Sequence, residues 1–208
     1  MFFDLFGASV SLISTYYFIR LNSKAWPVGM IATVINSWLY WHKGIYADML
    51  LEFFYFLSMV YGWYKWQKKL PRCITSAQSS LGYLRPLQWI LLCVLFVMLY
   101  ISIYFLLATF THSTVALLDA ATTSLSLVAQ WLMCHKIIIT WILWFITDAL
   151  YAVMYLSKSL PFHSILMIIY TFMAIAGYLV WERRYKTILP ASPDTSELNP
   201  HLKDQTLV

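Results

Sequence analysis

Apolar and polar positions divide the chain into seven long apolar stretches, at about 3–20, 27–42, 45–66, 87–109, 115–134, 138–157 and 161–181. Their lengths suit helices crossing a hydrocarbon layer of roughly 30 Å. Most joints between them are short, so neighbouring helices are predicted to run antiparallel. The longest joint, Gln67 to Pro86, holds Lys68, Lys69, Pro71, Arg72, a Ser pair, Gly82 and Arg85, and reads as a cytoplasmic connector. After Trp181 the chain turns polar, and Pro190, Pro193 and Pro200 punctuate a tail expected to be disordered.

Compared with itself, the pattern repeats at an offset of 115 residues, without a gap from residue 4 to residue 69. Asp4 meets Asp119, Ser11 meets Ser126, and Trp26 meets Trp141. Further along, Tyr40 meets Tyr155, Lys43 meets Lys158, Tyr55 meets Tyr170, Gly62 meets Gly177 and Trp66 meets Trp181. Chance apolar bias explains coincident Leu and Ile, but not Asp, Lys, Gly and aromatic residues in one register. The expected organisation is a first three-helix repeat (1–69), a cytoplasmic loop and linker helix (70–110), a second three-helix repeat (111–186) and a disordered cytoplasmic tail (187–208). One linking helix keeps both units in the same orientation, as parallel repeats about an axis along the membrane normal. Carriers built this way hold solute near the midplane between halves that rock, and an enzyme has no need of the symmetry.

Composition narrows the class. The chain has 208 residues, 61% hydrophobic and 11% charged, with mean hydropathy +0.68. No soluble domain of that size hides so much apolar surface. The fold class expected is an all-α polytopic membrane protein with seven transmembrane helices in a 3+1+3 parallel repeat. Met1-Phe2-Phe3-Asp4 lacks a basic leader and no small-residue cleavage site follows, so no cleavable signal is expected. The net charge of +5 does not imply nucleic acid, because the basic residues gather at helix ends. With the N-terminus outside, twelve Lys and Arg lie inside and only Lys43 and Lys158 outside. That bias predicts a periplasmic N-terminus and a cytoplasmic C-terminus in a bacterial inner membrane.

Candidate chemistry centres on Trp141-x-x-Trp144-x-x-x-Asp148 in the sixth stretch. Steps of three, four and seven put the two indoles and the carboxylate on one helix face. An acid in mid-bilayer costs roughly 3 kcal/mol on insertion scales, so it faces a bundle interior or a wet cavity. Two π faces beside an acid suit a flat cationic solute. Trp141, near its helix end, also fits a plain interfacial anchor. On the fifth stretch Ser126 and Gln130 share a face with Thr123, and either hold helices together or touch solute. Asn36 is a polar group within the second stretch. Glu52 shares a face of the third with Asp48, Tyr55, Met59, Gly62 and Trp66, lining a solute path or receiving a bond from another helix.

Other chemistry is absent from the pattern. Cys73, Cys93 and Cys134 make no disulfide framework. The five histidines have no metal-ligand spacing, no phosphate-cradling glycine loop exists, and no Ser-His-Asp or Cys-His set is readable. No catalytic residue, metal or cofactor is expected.

The run Tyr46-Ala47-Asp48-Met49-Leu50-Leu51-Glu52, the element Tyr61-Gly62-Trp63-Tyr64-Lys65-Trp66 and the Trp141/Trp144/Asp148 motif together resemble the nicotinamide riboside transporter (PnuC-type) family over about residues 4–185. The resemblance implies a SWEET-like fold, uptake of an unphosphorylated vitamin by facilitated diffusion with alternating access, and trapping by a cytoplasmic kinase. It implies substrate contact by Trp141, Trp144 and Asp148. Nicotinamide riboside members usually carry Asn where Asp148 stands and often Gln where Glu52 stands, while an acid after the Trp pair resembles the thiamine-transporting branch. The substrate-binding set expected is Trp141, Trp144, Asp148, Gln130, Ser126, Asn36, Glu52 and Tyr55. The expected partners are a small vitamin, thiamine ahead of nicotinamide riboside, and the lipid bilayer. No nucleic acid is expected, and a homo-oligomer stays open. The alternatives are a SWEET-like sugar carrier and a membrane enzyme or assembly subunit whose polar stripe only holds helices together.

Overall fold

A computed structural model describes residues 2–43, 46–67, 81–110, 116–157 and 161–188. They form α1 (Phe2–Ile19), α2 (Ala25–Lys43), α3 (Tyr46–Gln67), α4 (Pro86–Phe110), α5 (Ala116–Cys134), α6 (Thr140–Ser157) and α7 (Pro161–Ile188). Each predicted stretch is a helix. The largest departure is α7, which runs to Ile188 rather than stopping near 181. Its extra turns carry Glu182 and Lys186 in a 2.8 Å ion pair one turn apart, and polar residues of good helix propensity continue a helix past the apolar layer. Most of the connector, including Cys73, and most of the tail lie outside the described residues, as does the side chain of Asp48 on α3.

Sequence sets the helix ends. Pro86 and Pro161 open α4 and α7, where a missing N–H costs nothing. The Gln88 side chain accepts the Arg85 backbone N–H at 2.8 Å, one arm of a capping box. At its C-terminus α1 closes with a Schellman pair: the Asn22 N–H reaches the Tyr17 carbonyl at 3.0 Å and the Leu21 N–H reaches Phe18 at 2.9 Å. Leu21 takes the left-handed conformation, φ 54°. The end of α5 repeats this at the 115-residue offset. Ile137 bonds Leu132 at 3.1 Å, Lys136 bonds Met133 at 3.1 Å, and Lys136 has φ 56°. A side chain in that conformation costs roughly 1–2 kcal/mol, so its recurrence reflects a shared turn rather than chance.

Other contacts recur at the same spacing. Ser14 on α1 donates to the Ala25 carbonyl of α2 at 2.9 Å, and the corresponding positions 129 and 140 are joined with donor and acceptor exchanged, Thr140 on α6 donating to the Ala129 carbonyl of α5 at 2.7 Å. Trp26 lies edge-on to Trp66 at 5.3 Å, and Trp141 edge-on to Trp181 at 5.4 Å. Gly62 and Gly177 make those stacks: a methyl group on either would overlap the Trp26 or the Trp141 ring. Within each half α2 packs on α3 and α6 on α7, while α3 meets α5 and α1 meets α7 across the seams between halves. The core is this indole cluster with Phe18 and Met133, at the end of the bundle where Arg20, Lys24, Lys65 and Lys136 lie.

The helix α4 stands apart. None of its apolar stretch is buried, and Leu91, Met98 and Phe105 are open on its surface. It packs on α5, with Leu92, Phe96, Ile103 and Leu107 partly covered, and so much remaining open apolar surface belongs in lipid. With α5 and α7 it is long and apolar enough to cross a membrane. Just before α4, Gly82 bridges to the α5–α6 turn through bonds of 3.2 Å to Lys136 and 3.1 Å from Ile138, and Leu81 is buried. The chain is an all-α polytopic membrane protein.

Candidate functional site

A cavity of about 670 Å³ lies between helices α1–α3 and α5–α7. It reaches from Met133 and Trp141 at the basic end towards Asp119, Tyr40 and Tyr155 near the opposite helix ends. Its walls come from the two halves, with Ile103, Leu106 and Leu107 of α4 added. All eight residues expected from the sequence line it.

Their environments differ. Asp148 is only 8% exposed, and its side chain lines the cavity. An acid withdrawn from bulk water into a cavity gains from a cationic ligand that takes the place of its water. Trp144, one turn earlier, is half-buried with its ring on the cavity. Trp141 is different: it is buried to 1% exposure within the indole cluster and packed on Gly177. It forms the floor of the cavity at the basic end rather than a free stacking face.

Glu52 accepts a hydrogen bond from the Asn36 amide at 3.2 Å, so the third helix and the second meet at two of the expected residues. Gln130 donates to the Ser58 hydroxyl on α3 at 3.0 Å, which ties the α3–α5 seam. Ser126 donates to its own helix at Thr122, 2.8 Å, and its hydroxyl sits within hydrogen-bonding reach of Tyr55. The same pairing joins Tyr170 to Ser11, both at the 115-residue offset. Glu52 and Asp148 both lie within electrostatic reach of Tyr55 and Tyr170, so the two acids share one chamber.

Asp119 on the wall was not among the expected residues, nor were Tyr151 and Tyr170. The signal for Asp119 was present: residues 119, 123, 126 and 130 follow steps of four, three and four along one face of α5. The chamber lining holds Glu52, Asp119 and Asp148 and, among the described residues, no Lys, Arg or His. Its field favours cations and opposes anions.

A family model described as nicotinamide mononucleotide transporter matches residues 1–183. The nicotinamide riboside transporter PnuC of Escherichia coli (strain K12) is 25% identical over 198 residues, covering 84% of this chain and 78% of its own length. The protein of that name from Shigella flexneri matches to the same extent. The crystal structure of the vitamin B3 transporter PnuC aligns with a TM-score of 0.69 at 21% identity, over 88% of this chain and 83% of the other, a likeness of fold.

Proposed function

The chain belongs to the nicotinamide mononucleotide transporter family, and from that premise we propose that it carries an unphosphorylated vitamin with a cationic aromatic ring, thiamine ahead of nicotinamide riboside. It is a transporter rather than an enzyme. The observation that carries the ligand reading is Asp148, withdrawn into an acid-lined chamber beside the Trp144 ring. Charge neutralisation of the acid by the ring, with stacking on Trp144, contributes about 2 kcal/mol or more from the aromatic contact once water is excluded. Thiamine leads because Asp148 stands where nicotinamide riboside members usually carry Asn. Nicotinamide riboside is the second reading, favoured by what the Escherichia coli relative is named for and by its own cationic ring.

The transport cycle is alternating access by facilitated diffusion. Residues 1–69 and 111–186 act as two parallel repeats around the cytoplasmic loop and linker helix of 70–110, a reading supported by the contacts that recur at the 115-residue offset. The basic end faces the cytoplasm, as the Lys and Arg bias favours, and the N-terminus faces the periplasm. A passive carrier only equilibrates, so net uptake needs a sink. A cytoplasmic kinase supplies it, because a phosphorylated vitamin is an anion that the acid-lined chamber repels.

Proteoliposomes holding the purified protein test this. The expected result is equilibration of thiamine without an ion gradient or ATP, with nicotinamide riboside as the weaker competitor. Flux of neither vitamin defeats the transport reading. Tighter binding of nicotinamide riboside reverses the substrate order.

A further inference from the structure

Four buried indoles close the basic end of the chamber, and two of them do something the packing alone does not require. Trp66 Nε1 donates to the Met133 carbonyl at 3.3 Å, and Trp181 Nε1 donates to the Phe18 carbonyl at 3.1 Å. Trp66 and Phe18 belong to the first half, Met133 and Trp181 to the second, so each bond crosses between halves. Donors and acceptors are both related by the 115-residue offset. The indole rings of Trp66 and Trp181 also face each other at 6.2 Å. We propose that Trp66 and Trp181 are the paired bolts of a gate at the basic end, whose joint release lets solute leave on that side.

Three features suit the bonds to being broken. First, each accepting carbonyl already holds a bond of its own helix end, Lys136 N–H on Met133 at 3.1 Å and Leu21 N–H on Phe18 at 2.9 Å. The indole occupies the second lone pair, so release leaves no orphaned acceptor and does not unwind the cap. Second, the bolts leave a hydratable indole N–H at a bundle end rather than in mid-bilayer, where its exposure would be costly. Third, the closed gate is itself imperfect. The Nε1 atoms of Trp26 and Trp141, again a matched pair, are buried without an acceptor among the described residues. Opening loses two indole bonds and hydrates two orphaned donors. Such offsetting keeps the open and closed states close in free energy, which a passive carrier requires.

The seams are otherwise unequal. Gln130 and the Cys134 thiol both bond Ser58 across α3–α5, at 3.0 and 3.5 Å. The offset counterparts across α1–α7 are Thr15, Ile19 and Met173, which cannot reproduce that pair of bonds. The Trp181 bolt therefore guards the weaker seam, and the Trp66 bolt the stronger.

Cys134 adjoins Met133 and is 1% exposed, so it reports on the gate directly. The inference rests on the transport function proposed above, but its test needs no solute. In the full chain with Cys73→Ser and Cys93→Ser, labelling of Cys134 by a membrane-impermeant maleimide is followed from the basic side. Trp66→Phe with Trp181→Phe leaves a smaller aromatic ring at each site and removes both donors. The expected result is at least tenfold faster labelling, while Trp131→Phe, at an exposed indole on α5, changes nothing. Unchanged labelling in the double variant overturns the gate, and so does an equal rise in Trp131→Phe. If the double variant does not reach the membrane, Trp181→Phe alone is expected to give about threefold, and no change again overturns it. Failure of the intact protein to pass any vitamin defeats the transport function and leaves the labelling outcome to judge the gate by itself.

Discussion

The α1–α3 and α5–α7 helices of this protein match where they hold the fold and differ at Trp144, Asp148, Glu52 and Asn36 in the chamber. Trp26 and Trp141, Gly62 and Gly177, and the left-handed Leu21 and Lys136 occupy matching places and make matching contacts. Along the chamber the correspondence is partial: Ser11 and Ser126, Tyr40 and Tyr155, and Tyr55 and Tyr170 keep it, and four other positions do not. Opposite Trp144 stands Gly29, opposite Asp148 stands Thr33, opposite Glu52 stands Met167 and opposite Asn36 stands Tyr151. A scaffold of two like units is stabilised by like contacts, but a solute with one charged ring has no symmetry to match. The unmatched Trp144, Asp148, Glu52 and Asn36 are the chamber groups suited to recognising such a solute, and the matched Trp and Gly pairs serve as structure.

The substitutions that break this comparison most severely are the matched glycines. A methyl group at Gly62 or Gly177 overlaps the Trp26 or Trp141 ring, and overpacking of that kind costs about 1–3 kcal/mol. Gly62→Ala and Gly177→Ala are expected to lower the thermal midpoint in detergent by similar amounts. A loss at one site only would mean that the two indole floors are not equivalent.

Trp144 breaks the symmetry on the ligand side. Trp144→Ala is expected to weaken cationic vitamin binding by about 2 kcal/mol, roughly thirtyfold, because a stacked and desolvated ring is lost. The thermal midpoint without ligand should move little, since the indole is only half-buried. An unchanged dissociation constant in calorimetry would remove Trp144 from the site.

Smaller effects sharpen the structural match. Ser14→Ala and Thr140→Val each remove one buried bond to a neighbouring helix carbonyl and should each cost about 1 kcal/mol of stability. Smallest and opposite in sign, Leu21→Gly and Lys136→Gly relieve a left-handed side chain, and each is expected to shift the midpoint upward by the equivalent of at most about 1 kcal/mol. For Lys136 the gain is reduced, because its ammonium lies 4.9 Å over the Trp66 ring and that contact would go.

Much of this was legible in the chain. Long apolar runs broken by Pro and by short polar joints placed the seven helices, since lipid leaves a spanning backbone no other way to satisfy its hydrogen bonds. The WxxWxxxD spacing put Trp144 and Asp148 on one face, and they share the chamber. What the spacing did not reveal was that Trp141 turns into the core. A helical step of three fixes a face but not which neighbour covers it, and Gly177, a distant residue in sequence, draws the ring in. The cross-half bonds of Trp66 and Trp181 were hidden for the same reason, because both acceptors are main-chain carbonyls that carry no sequence signature. Asp119 was readable from its step to Thr123, but its place in the first turn of α5 also suits the helix dipole, an ordinary role for an acid there.

The most direct measurement compares two ligands on one substitution. Calorimetry with the unaltered protein and Asp148→Asn would use nicotinamide riboside, whose ring is cationic, and its dihydropyridine form, which is neutral and nearly the same shape. If Asp148 balances ring charge in the chamber, the substitution weakens the cationic ligand by about 1.5–3 kcal/mol, roughly ten- to a hundredfold, and the neutral one far less. Equal losses for both ligands would contradict the account.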